Sequence, residues 1–131
     1  FLKKGDILFK SKGYNNSSTI LLDEINNVLA HSHFFIIRIT DNKILPEYVS
    51  WFLNQKSIQT YFKSNCAGTS LPMIHKKVLE DVIIKIPELE VQEKIAKIHY
   101  PSIREIELLE QIKEKKKLLI ETILSNRINK V

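Results

Sequence analysis

The sequence is poor in the features that bind small cofactors or cross membranes. Only three glycines occur in 131 residues, and none sits in a Walker or dinucleotide-binding pattern, so a phosphate-cradling loop is excluded. Cys66 is the single cysteine. It rules out an intramolecular disulfide, fits a reducing cytoplasm, and has no neighbours that would make it a reactive site. No apolar run approaches the ~18 residues of a membrane span; the longest are "FFII" and "VII". No secretory signal is visible. The first residue is Phe1 rather than methionine, and with the strand-like start "KKGDILF" this leads us to expect numbering that begins inside a larger chain. Internal repeats and low-complexity tracts are absent.

What remains is an ordinary water-soluble composition, 44% apolar and 27% charged, in a length suited to one domain. Twenty basic residues against fifteen acidic give a net charge of +5. That balance is compatible with a polyanionic partner.

Along the chain, "GDILF" (Gly5 to Phe9) reads as a strand, and "KSKGYNNSS" as an exposed loop. "TILL" and "NVLA" read as short strands around a turn. "FFIIRI" (Phe34 to Ile39) is rich in aromatic and β-branched residues and reads as a strand ending at "TDNK". "LPEYVSWFLNQKSIQTYFKS" switches to helical spacing, with Pro46 in the first turn and a break near Asn54. Trp51 belongs to its apolar set and is assigned to packing. "NCAGTSLPM" is a loop, "HKKVLED" a short helix, and "VIIKI" a strand closed by Pro87. From Glu88 the spacing is helical, with Pro101 starting a second helix or kinking the first. The final helix is expected from about Ser102 to Ile128, ~40 Å at ~1.5 Å per residue. Its stripe of Ile106, Leu109, Ile112, Leu119, Ile120 and Ile123 has no matching helix in this chain, which implies a partner helix. The pattern predicts an α+β fold: a small mixed β-rich body with short helices, then a long C-terminal helix that forms a coiled coil.

Catalytic constellations are weak. His31 and His33 share a face two residues apart, but with His75, His99 and Cys66 they match no metal-ligand spacing. Asp41 and Lys43 in "TDNK" have the acid-x-lysine form of metal-dependent nucleases, and a turn explains the same residues. Two loops are better suited to DNA. The first offers Lys10 and Lys12 for phosphates and Tyr14, Asn15 and Asn16 for base edges or stacking. The second offers Thr69 and Ser70, followed by His75, Lys76 and Lys77 at a helix start, where phosphate is favoured. Ordinary solvated loops would show the same residues.

The order of segments resembles the specificity subunit of type I restriction-modification systems, in the latter part of a target recognition domain and its conserved helix. The residues carrying the resemblance are "KKGDILF" with Gly13, "HSHFFIIRI", "ILPEYVSWFLNQKSIQTYF", "GTSLPMI" and "LEDVIIKIPELEVQEKIAKI". Glu88 and Val91 replace a proline and a glutamate usual in the family, while Pro87, Leu89 and Gln92 are retained. His75 stands where a small helix-capping residue is common. About ninety residues that usually precede "KKGDILF" in such a domain are not in this sequence. The resemblance implies that residues 1–86 form the C-terminal part of a DNA recognition domain and residues 87–131 a hand-over segment and spacer helix. It implies a non-catalytic DNA-reading subunit without its own cofactor. Partner subunits would supply adenine methylation with S-adenosylmethionine, and restriction-translocase subunits would bring ATP and Mg. Double-stranded DNA and a second recognition domain, or a second copy, would complete the partners; no membrane is implied. Two other classes fit the sequence: the recognition half of a fused restriction-methyltransferase, and an assembly-only coiled-coil protein.

The stripe carries a testable consequence. Burial of an aliphatic side chain is worth ~1.5–3 kcal/mol, so two buried charges in the seam outweigh the pairing. The double change Leu109→Glu with Leu119→Glu is expected to lower the assembly state in sedimentation. The antiparallel pairing that the resemblance implies would hold two recognition bodies a little over one turn of B-DNA apart, so the same change is expected to abolish binding to a bipartite site.

Overall fold

The structure, a computed structural model, describes residues 2–13, 15–21, 34–68 and 72–130. It is α+β. The elements are β1 (Ile7–Lys10), β2 (Ser18–Ile20), β3 (Phe34–Ile37), α1 (Pro46–Leu53), α2 (Lys56–Ser64), α3 (Lys76–Glu80) and α4 (Leu89–Asn129). The chain forms two compact units, Phe1–Ala96 and Lys97–Val131.

In the first unit β1 is the middle strand of an antiparallel sheet ordered β2-β1-β3. Ile7 lies opposite Ile20 and Ile37, and Phe9 opposite Ser18 and Phe35. The period of two turns Ile7 and Phe9 inward, where both are fully buried. Val49 and Leu53 from α1, Phe62 from α2 and Ile74 close the core around them. The Phe9 and Phe62 rings lie 4.9 Å apart at a tilted 57°, an edge-biased arrangement that aromatic quadrupoles favour.

Pro46 opens α1, and Leu45 before it is extended, as a pre-proline residue should be. The helical run divides at Asn54, which ends α1 and leaves Gln55 extended before α2. "VIIKI" departs from expectation. Val82–Ile86 joins no sheet among the described residues. Its alternation survives: Val82 and Ile84 pack on the core while Ile83 is 85% exposed. The Tyr48 hydroxyl donates to the Lys85 carbonyl, so a side chain fastens this run in place of a ladder. Burial raises the Tyr48 pKa and keeps that hydroxyl protonated. Of the expected strand pair "TILL" and "NVLA", β2 ends at Ile20 and "NVLA" lies outside the described residues.

Gln92, in the first turns of α4, is fully buried. Its Oε1 accepts from Leu45 N at 2.8 Å, and its Nε2 donates to the Lys43 and Pro87 carbonyls at 3.0 and 2.8 Å. One amide thus joins the segment before α1 to the start of α4. Asp6, also buried, accepts a two-pronged bond from Arg38, Nε to Oδ1 at 2.9 Å and Nη2 to Oδ2 at 2.8 Å. Lys3 N adds a third bond at 2.8 Å. The Arg38 hydrogen bonds, more than any other influence, hold the Asp6 carboxyl below its ordinary value of 3.8.

The expected restart near Ser102 does not occur, because α4 is continuous over 41 residues with Pro101 inside it. Pro101 withholds the N–H that the Lys97 carbonyl would accept. In the same turn the Ser102 hydroxyl donates to the His99 carbonyl at 2.6 Å. Strong helix formers flank the site, "EKIAKI" before it and "EIELLEQIKEKKKLLIE" after it. Propagation on both sides outweighs one proline. In the second unit Ile106, Leu109, Ile112, Leu119, Ile120 and Ile123 are all exposed.

Two outcomes follow from these contacts. Gln92→Ala would leave the Leu45 N–H and two carbonyls without their partner, and is expected to cost about 2–4 kcal/mol in denaturant unfolding. Asp6→Asn is expected to destabilise the protein at neutral pH. Because the native carboxyl is depressed, its stabilisation is complete above the ordinary carboxylate range. It is lost as pH falls through the lower native value, so the gap between wild type and Asp6→Asn should close in acid melts below pH 3.8.

Candidate nucleic-acid interface

The two loops that the sequence offers for DNA are far apart in the chain and adjacent in space. Gly13 N donates to the Pro72 carbonyl at 2.8 Å, and Ile74 N to the Ser11 carbonyl at 2.8 Å. Met73 forms antiparallel bridges with Lys12 on one side and Ala67 on the other. The Ala67–Met73 bridge exchanges both backbone bonds, at 2.9 and 2.8 Å. Loop backbone is thereby paired as in a small sheet. Gly13 holds φ at +100°, a conformation that side chains rarely adopt. The Lys10 chain crosses it, with Nζ 3.9 Å from where a Cβ on Gly13 would stand.

"KSKGYNNSS" is not the fully solvated loop expected from its composition. Ser11, Asn16 and Ser18 are buried. Asn16 Nδ2 donates to the Lys10 carbonyl at 3.1 Å, and its own carbonyl accepts from Gln59 Nε2 at 2.8 Å. Gln59 also donates to the Leu53 carbonyl at 2.8 Å. The Asn16 amide therefore shapes the loop from within, while Asn15 is exposed. Below it Asn54 takes both backbone groups of Ser18, accepting from N at 2.7 Å and donating to O at 2.9 Å. The Ser18 hydroxyl reaches the Ser50 carbonyl at 2.8 Å. Only a folded structure reveals Gln59 and Asn54 as supports; their sequence signal is no more than a polar residue at a helix break or on a helix face.

The basic candidates differ in availability. Lys76 and Lys77 each pair one helical turn on, with Glu80 at 3.6 Å and with Asp81, the residue that ends α3, at 3.1 Å. The Asp81 contact raises the Lys77 pKa. The helix start at His75 carries no side-chain cap, and α3 is only five residues long, so its dipole is small. Lys10 and Lys12 are partly exposed and form no ion pair among the described residues. Tyr14, Thr69 and Ser70 lie outside the described residues, as do His31 and His33. Asp41 folds into its own turn, its Oδ1 accepting from Lys43 N at 2.9 Å, which is the turn reading of "TDNK". Among the described residues no three metal-ligating side chains gather, and no helix is long and apolar enough to cross a membrane.

Comparison with known proteins decides the family. The pattern of the type I restriction modification DNA specificity domain matches residues 1–117, which includes both loops. The chain belongs to this family. Its relatives include the specificity subunit of the type I restriction enzyme HindI of Haemophilus influenzae, 30% identical over 116 residues. That alignment covers 86% of this chain and 25% of the relative. The specificity subunit of the type I restriction enzyme MjaVIII of Methanocaldococcus jannaschii is 28% identical over 94 residues, 72% of this chain and 18% of the relative. The specificity-domain chain thus spans a quarter or less of the length of these relatives. In it the family pattern runs from β1 through both loops and the Gln92 clamp into α4.

Proposed function

We propose that the chain reads DNA for a type I restriction-modification system, as part of a specificity subunit that directs adenine methylation and restriction by partner subunits. The carrying observation is the match of the DNA specificity domain across residues 1–117. The joined loops support it, since they set Lys10 and Lys12, which form no ion pair among the described residues, and the exposed Asn15 on one hydrogen-bonded base. In this reading the chain contributes recognition and no catalysis; S-adenosylmethionine, ATP and Mg belong to the modification and restriction-translocase subunits. The exposed stripe of α4 pairs with a helix from a second recognition domain or a second copy of the chain. Such a complex works in the cytoplasm, where its DNA is. In this reading Lys10 and Lys12 contact phosphates, Asn15 reads base edges, and His75, Lys76 and Lys77 form a peripheral basic edge; Tyr14, Thr69 and Ser70 stay candidates on their chemistry alone.

The reading separates positional from sequence-specific contacts in the intact protein. Lys12→Ala is expected to weaken binding to every duplex and to flatten its salt dependence. Asn15→Ala is expected to relax preference at particular bases, losing ~1–3 kcal/mol of discrimination for a paired contact. Titration of specific and scrambled duplexes over a salt series measures both. Unchanged affinity and discrimination in both variants would remove the loops from the interface. Methyl transfer by the purified protein without modification subunits would instead identify a fused enzyme.

A further inference from the structure

A recess of 340 Å³ lies beside the joined loops, lined by Gly13, Asn16, Lys63, Cys66 and Pro72. Lys63 does not stand out in the sequence as a DNA contact, because it lies on a helix, and Cys66 stands at the start of the second loop without a phosphate-binding side chain. We propose that this recess seats a DNA phosphate and that Lys63 is a direct backbone contact, acting beside Lys10 and Lys12. The inference rests on the DNA-reading function above and adds a site to it.

Charge is the first support. Lys63 is exposed at the last turn of α2 and forms no ion pair among the described residues. The Lys10 ammonium lies over Gly13, one of the lining residues, and among the described residues no carboxylate lines the recess. By contrast Lys76, Lys77 and Lys94 are each engaged by an acid one helical turn away. Among the described residues near the two loops, the lysines that no acid engages are therefore Lys10, Lys12 and Lys63, and not those of α3.

Rigidity is the second. Phe62, next to Lys63, is fully buried against Phe9, and the Tyr61 hydroxyl donates to the Val78 carbonyl at 2.8 Å. Asn65 Nδ2 and Cys66 Sγ donate to the Tyr61 and Lys63 carbonyls. The end of α2 is thus held to β1, which runs into the first loop, and to α3, which follows the second, so a phosphate bound there would set the register in which the loops meet base edges. A competing structural role exists for Lys63, since a cation in the last turn of a helix complements its dipole. That role predicts a change in stability and none in salt dependence.

The test compares Lys63→Ala, Lys63→Arg and, as a charge-matched control, Lys56→Ala at the exposed opposite end of the same helix, all in the intact protein. Anisotropy titrations use a specific and a scrambled duplex over a salt series. Lys63→Ala is expected to weaken both duplexes alike, roughly three- to ten-fold at physiological salt, and to reduce the log–log salt slope by ~0.9. Lys63→Arg should restore both, and Lys56→Ala should leave the slope unchanged. Cys66 supplies an independent reading: maleimide labelling should slow when either duplex is bound. If wild type binds DNA but Lys63→Ala keeps its slope and Cys66 labels at the same rate, the recess is not a phosphate seat and DNA reading stands without it. If wild type binds no DNA, the functional reading falls first, and this inference with it.

Discussion

Buried connections in the first unit are held by side-chain amides that pair with backbone where no strand is available. Gln92 satisfies one N–H and two carbonyls around Leu45, Lys43 and Pro87. Asn54 takes both groups of Ser18, Gln59 joins Asn16 to the end of α1, and Asn16 closes its own loop on Lys10. Among the described residues a sheet of three strands, each three or four residues long, leaves many backbone groups outside any ladder. Buried backbone groups must still be paired. An amide carries donor and acceptor together without charge, so it can stand in for a neighbouring strand at little desolvation cost. The apolar core fixes where the helices sit, and the amides fix how the loops run between them.

This division explains what the sequence disclosed. Elements governed by local period were legible: Ile7 and Phe9 alternate inward on β1, Phe34–Ile37 forms β3, and Pro46 opens a helix that breaks at Asn54. The helical spacing after Glu88 likewise appears as α4. Features governed by distant partners were not legible. "VIIKI" has a strand's alternation but no ladder partner among the described residues, and its fastening comes from Tyr48, far back in the chain. Pro101 reads as a boundary locally, yet long favourable stretches on both sides carry the helix through it.

The candidate interface divides in the same way. Lysines and asparagines in loops mark a possible DNA surface, but composition is blind to which way an amide turns. Asn15 and Asn16 are neighbours with opposite fates, one exposed and one folded into the loop. Lys63 joins the same surface only because Gly13 and Pro72 bring two loops beside the end of α2. The chemistry of the candidate residues was visible one by one; their assembly depends on contacts between segments more than fifty residues apart.

The pairing of Asn54 with Ser18 has a consequence for the protein's life outside any complex. A strand at the edge of a sheet presents unused N–H and C=O groups that invite another chain to add on, which is how many aggregates start. At Ser18 both groups are already occupied, by a side chain that cannot extend a ladder. The carboxamide acts as a stopper on β2. A chain that keeps so much polar loop backbone near its surface has, at Ser18, a strand position closed to its own kind.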